Sequence, residues 1–267
     1  MLTRSWEPTL PADLRVQEDV RLQVADLVTG YGSLPIVRGV SLRVRAGEVV
    51  VLLGANGSGK STLLKGVAGL LTCQAGSVAL LGNDVTGLTA NRLASLGMGY
   101  VPQGDDTFAS LTVRENLELG GYLLGRRGVG PRVHELLADV PIIGRLKDRV
   151  VATLSGGERK LVAIGRALML RPKVLLLDEP TASLTPEMSE LILDRFVRQV
   201  ADQGTAVLLV EQKAMEALAV GDTAHVLVDG QIFVTDTPSA LADRSRLASA
   251  FFGVDPRAEP QEVAGRD

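Results

Sequence analysis

Between positions 54 and 61 the chain reads Gly54-Ala-Asn56-Gly57-Ser58-Gly59-Lys60-Ser61, followed by Thr62. Glycines at this spacing let the backbone curl until successive N–H groups point at one phosphate. A helix opening near Lys60 would add the positive end of its dipole. Lys60 would reach the β- and γ-phosphates of a nucleotide, and the Ser61 hydroxyl could ligate Mg²⁺. Much later, Val174-Leu-Leu-Leu-Asp178-Glu179 ends an apolar run in two acids. Asp178 could join a Mg²⁺ shell beside those phosphates. Glu179 could then orient and deprotonate water. A third stretch, Leu154-Ser155-Gly156-Gly157-Glu158, places two glycines where a helix should start. Glycine is a poor helix former, so the pattern favours a bare helix end open to an anion.

These residues need a rigid frame. Val49 to Leu53, Val174 to Leu177 and Ala206 to Val210 are unbroken apolar runs. Runs without alternation suit strands covered on both faces. Helical patterns follow them at 61–69 and 186–201, the rhythm of a parallel α/β sheet. Leu22 to Leu27 and Val37 to Val44 alternate more and are expected as an antiparallel addition at one edge. Asp229-Gly230 between two apolar triplets predicts a hairpin. Thr112-x-x-Glu115 and Ser155-x-x-Glu158 have the form of capping boxes. They lie in a helix-rich stretch, about 85–170, expected as an insertion into the α/β core.

Composition narrows the function classes. The 267 residues carry 28 basic and 31 acidic side chains, a net charge of −3, and only 3% aromatics. That balance argues against a nucleic-acid binder and against base-stacking platforms. The single cysteine, Cys73, permits no intramolecular disulfide and is expected to be a packing residue in a reducing compartment. No apolar run approaches the ~18 residues that a membrane span requires. Residues 1–21 are expected as a polar extension that lacks the apolar stretch of a secretory signal, and 254–267 as a flexible tail.

Taken in order, GANGSGKST (54–62), Gln103, LSGGE (154–158) and VLLLDEP (174–180) resemble the nucleotide-binding domain of ABC transporters. The resemblance covers 22–253. It implies a P-loop NTPase fold of the ABC-ATPase type, with a mainly parallel sheet core, an antiparallel β edge and a helical insertion. It implies ATP and Mg²⁺, and two such domains facing head to tail. Each ATP would lie between one domain's phosphate loop and the other's signature. Ser155 and Gly157, within the signature 155–158, would then meet the γ-phosphate in trans. Gln103 matches the family's Q-loop glutamine, a sensor of Mg²⁺ and the attacking water, and Tyr31 the aromatic that stacks on adenine. Phe108 to Leu117 resembles the surface that receives a permease's coupling helix.

Two positions depart from the family pattern. Gln212 stands where a switch histidine is usual, and it carries no titratable charge. Thr185 stands where the D-loop usually has aspartate. His134 and His225 fall elsewhere and are expected to have surface or packing roles. Val-Glu-Gln at the switch, a Leu-x-Pro D-loop and a terminal Phe252-Gly253 resemble one subgroup. It is the shorter ATPase subunit of bacterial branched-chain amino-acid importers, with relatives in urea and amide uptake. That implies a second ATPase subunit (heterodimer, or homodimer), two permeases that hold the chain at the inner face of the plasma membrane, and a periplasmic binding protein. Two alternatives stay open at this point: a regulatory subunit with weak turnover, and a urea or amide importer.

Overall fold

The apolar runs become the middle layer of the molecule. The computed structural model describes residues 19–104 and 107–251. Most of the N-terminal extension, the 254–267 tail and Phe252-Gly253 lie outside the described residues. β3 (Val49–Leu53), β7 (Val174–Asp178) and β8 (Ala206–Val210) are buried at every position. They pair in parallel, with Val49 opposite Val207 and Val174 opposite Ala206. β6 (Met98–Val101) joins beside β7, and β9 (Thr223–Val228) beside β3. β10 (Gln231–Asp236) returns antiparallel, giving a six-stranded sheet of order β10-β9-β3-β8-β7-β6. Asp229 and Gly230 make its turn, both with positive φ (46° and 79°), as the dipeptide predicts.

The sheet separates two apolar cores, which explains why its strands do not alternate. Val50 and Leu52 of β3, with Leu176 and Leu208, face one core; Val49, Val51 and Leu53, with Leu175, Leu177 and Leu209, face the other. The first core is closed by the helix Lys60–Val67 and by β1 (Val20–Tyr31), β2 (Leu34–Arg45) and β4 (Cys73–Leu80). With the short β5 (Asn83–Asp84) these strands form their own antiparallel sheet, of order β2-β1-β4-β5. The expected edge strands therefore lie over a face of the central sheet. Their alternation specifies one buried face and one wet face. It does not distinguish extension of a sheet from a layer laid upon it.

The second core is closed by helices. Both expected capping boxes form, at Thr112/Glu115 on Val113–Gly120 and at Ser155/Glu158 on Gly156–Leu168. These two helices cross so closely that a Cβ on Gly120 would lie 2.6 Å from the Arg166 carbonyl oxygen. Leu117, Leu136, Ile143, Leu161 and Ile164 fill the space between helices. β6 falls within 85–170 and belongs to the central sheet, so this stretch is not helical throughout. The helix expected at 186–201 runs as Pro186–Glu190, a wider π-helical stretch Leu191–Arg198, and Gln199–Asp202. Among the described residues no helix is long and apolar enough to cross a membrane.

Candidate functional site

Four parallel strands deliver their following loops to one rim of the sheet. The loop after β3 and the first turn of the helix it feeds carry 54–62, the loop after β6 carries Gln103, β7 ends in Asp178, and the loop after β8 carries Gln212. The carboxyl ends of parallel strands are where α/β sheets hold ligands. Gly57 and Gly59 have φ of 83° and 105°, a region that side chains strain. A Cβ on Gly54 would meet the Leu227 carbonyl oxygen and Ser58 Oγ. The helix Lys60–Val67 has no side-chain cap and no acid in its first turn. Its leading N–H groups have no intrahelical acceptor. Ser58 Oγ is buried and makes no hydrogen bond. Such a cradle suits an anion closely approached by backbone.

Around it sits a network of charged and polar groups. Lys60, only 5% exposed, donates through Nζ to the carbonyl oxygens of Gly54 (2.8 Å) and Ala55 (3.1 Å) and lies 3.8 Å from Glu179 Oε1. Ser61 Oγ donates to Asp178 Oδ1 at 2.9 Å. Gln103 Nε2 donates to Glu179 Oε2 at 2.7 Å. Burial pushes the Lys60 ammonium pKa down, against the pull of Glu179 and Asp178. Burial pushes the Asp178 carboxyl up, opposed by Ser61 and by the cations Lys65, Lys60 and Lys160. Glu179 sits at a left-handed φ of 46°, its N–H held by the Val210 carbonyl at 2.9 Å. A cleft of about 500 Å³ is lined by Tyr31, Ile36, Asn56, Gly57, Gly59 to Thr62, Gln103, Glu179 and Gln212. Tyr31 is 52% exposed, so its ring is available at the rim.

Ser155, Gly156, Gly157 and Glu158 do not line this cleft. Ser155 Oγ accepts from the Glu158 N–H, and Glu158 Oε2 accepts from the Ser155 N–H at 2.8 Å. The two glycines differ. Gly156 is open, whereas Gly157 is buried and a Cβ there would overlap Met188 Cγ. The sequence assigned both to an open helix end; the structure gives Gly157 a packing reason as well. Thr185 is the residue just before the helix Pro186–Glu190 and its side chain does not cap it. Phe108 is half exposed beneath the Arg166 guanidinium, and buried Asn116 holds its backbone from both sides. His225 is buried, with Nδ1 2.7 Å from Thr235 Oγ1, the packing role expected of it.

Three further residues were given no role by the sequence, although Glu211 lies within the Val-Glu-Gln stretch. Glu211, fully buried, accepts from the Thr181 N–H and hydroxyl and from the Gln212 N–H, and burial pushes its pKa up. Lys213 donates to the Leu184 carbonyl and to Ser189 Oγ. Lys160 donates to carbonyl oxygens of the turn after β6. The first two adjoin the Gln212 motif and could have been suspected. A lysine on an amphipathic helix gives no comparable signal.

The family model described as "ABC transporter" matches residues 37–182. The chain is 37% identical, over 233 residues, to the probable branched-chain amino acid transport ATP-binding protein LivF of Archaeoglobus fulgidus, covering 87% of this chain and 99% of that one. It is 38% identical over 225 residues to the high-affinity branched-chain amino acid transport ATP-binding protein BraG of Pseudomonas aeruginosa, covering 84% and 96%. The lipopolysaccharide export system ATP-binding protein LptB of Escherichia coli is 34% identical over 237 residues, covering 88% and 98%. Among solved structures, the ADP conformation of the ATP-binding cassette MJ1267 superposes with a TM-score of 0.77 at 28% identity, covering 88% and 99%.

Proposed function

The chain belongs to the ABC transporter family as an ATP-binding subunit and ATPase, and from that premise we propose that it powers uptake of branched-chain amino acids or a closely related small solute. Support for the solute comes from LivF and BraG, which are nearer in sequence than the export protein. The chain would work at the inner face of the plasma membrane, docked on two permeases, with a second ABC ATPase subunit beside it and a periplasmic binding protein delivering solute.

One observation carries the mechanism: Lys60, Ser61, Gln103, Glu179 and Gln212 line a single cleft, while Ser155 to Glu158 stand outside it. The cleft would bind ATP, with Tyr31 against the adenine and Asn56, Gly57, Ser58 and Gly59 wrapping the phosphates. Lys60 would neutralise the β- and γ-phosphate oxygens, which replace the loop carbonyls as its acceptors. Ser155 and Gly157 would then meet a nucleotide held by the opposing subunit, so that ATP would close the pair.

The donor set also fits Mg²⁺. Among the described residues no three His, Cys, Asp or Glu side chains form a metal cage. Mg²⁺ needs none, being held by one or two carboxylates together with phosphates. Ser61 Oγ and Asp178 Oδ1, 2.9 Å apart, are hard oxygen donors at the phosphate cradle, and Gln103 could add its amide oxygen. The ion would supply charge neutralisation for the phosphates. Glu179 would polarise the attacking water, with Gln103 fixing the carboxylate and Gln212 donating to a γ-phosphate oxygen.

Glu179→Gln tests this. Because the amide cannot accept the proton, turnover should fall at least ~100-fold, while ATP affinity stays close to wild type. Phosphate release and titration calorimetry measure the two. Wild-type turnover in the variant would remove Glu179 from the chemistry.

A further inference from the structure

Lys160 stands one turn into the helix that begins at Ser155, and its ammonium is spent on the backbone of a different segment. Nζ donates to the carbonyl oxygens of Pro102 (3.1 Å) and Gln103 (3.0 Å), with that of Gly104 at 3.5 Å. An ammonium offers three donors and no acceptor, so one side chain gathers the turn that leaves β6. That turn carries Gln103, whose amide reaches Glu179 at 2.7 Å. Behind Lys160 the helix end is rigid, because Ser155 and Glu158 cap one another. A bonded path therefore runs from the capped end through Lys160 to the Gln103 backbone, and on to the Glu179 carboxylate.

We propose that Lys160 is a positioning residue that ties the 102–104 turn to the helix bearing Ser155, so that a displacement of that helix end moves Gln103 against Glu179. This rests on the ATPase reading above and adds to it a sense of direction. Engagement of Ser155 by a nucleotide across the interface would be felt at the water-activating carboxylate of its own subunit. A lysine suits a moving joint, since its charge sits on a flexible stem and needs no fixed fork geometry. Its charge is also felt at Asp178, where it favours the carboxylate form.

The test uses the full chain with Mg²⁺ and the non-hydrolysable analogue AMP-PNP, read by amide hydrogen exchange, together with steady-state ATP turnover. In the wild type the analogue should protect both 54–62 and 98–104. In Lys160→Met, protection of 54–62 should persist and that of 98–104 be lost. The same change should lower kcat about tenfold with KM within about twofold, and Lys160→Arg should restore at least about half of kcat. A Met variant with wild-type kcat and a protected 98–104 segment would overturn the proposal. So would loss of both protections without rescue by arginine, which marks a merely structural lysine. Should Lys160→Met not fold, Lys160→Gln, which keeps an N–H donor but no charge, takes the same comparison. A wild type left unprotected at 54–62 would sink the nucleotide reading itself, an outcome distinct from failure of the tether.

Discussion

At the scale of single residues the site is a balance of burial against charge. Lys60, Asp178 and Glu179 are all nearly inaccessible, and each is compensated by a neighbour. Gln212 is different: it is exposed, lines the cleft, and its backbone alone is tied down, by Glu211. An amide there can contact phosphate but brings no proton equilibrium. Gln212→His should therefore add a limb near about pH 6.5 to the pH–rate profile that the wild type lacks, while ATP affinity changes less than ~twofold. Turnover measured from pH 5.5 to 8.5 beside calorimetric titrations checks this. A featureless profile in the variant would place the side chain away from the reacting phosphate.

At the scale of elements, the signature helix is fixed from several sides: by its cap, by the crossing at Gly120, by Lys160, and by Met188 pressed on Gly157. The last contact has a sign that can be measured. Alanine is a better helix residue than glycine, yet at 157 its methyl overlaps Met188. Gly157→Ala should lower stability by about 1 kcal/mol, the mild end of overpacking because methionine can yield. On a Met188→Ala background the same change should be neutral or stabilising. Urea unfolding of the four species gives the coupling; simple additivity would mean that the glycine is kept for another reason.

At the scale of the whole molecule, Ser155 stands apart from the cleft, and the proposed trans contact would join the chain to a partner there. Ser155→Arg should leave ATP affinity of the lone chain within about twofold and abolish ATP-driven association, either with itself or with a second cassette. Sedimentation velocity of the Glu179→Gln protein, with and without Ser155→Arg, reads the association. A matching loss of affinity in the lone chain would place the serine on its own nucleotide.

The sequence by itself determined the chemistry that is local in the chain. The phosphate loop, the acids closing β7, the two capping boxes and the Asp-Gly hairpin are each set by a few neighbouring residues, through φ preference, dipole and strand burial. The uniform apolarity of Val49 to Leu53 likewise announced a strand covered on both faces. Only the tertiary structure decided which layer the alternating strands form, that Gly157 meets Met188, and that Glu211 and Lys160 bind backbone far away in the chain. These depend on which groups fold brings within a few ångströms of each other. A hydrogen bond between residues 57 or 58 positions apart leaves no period, cap or turn signal in the residues that make it.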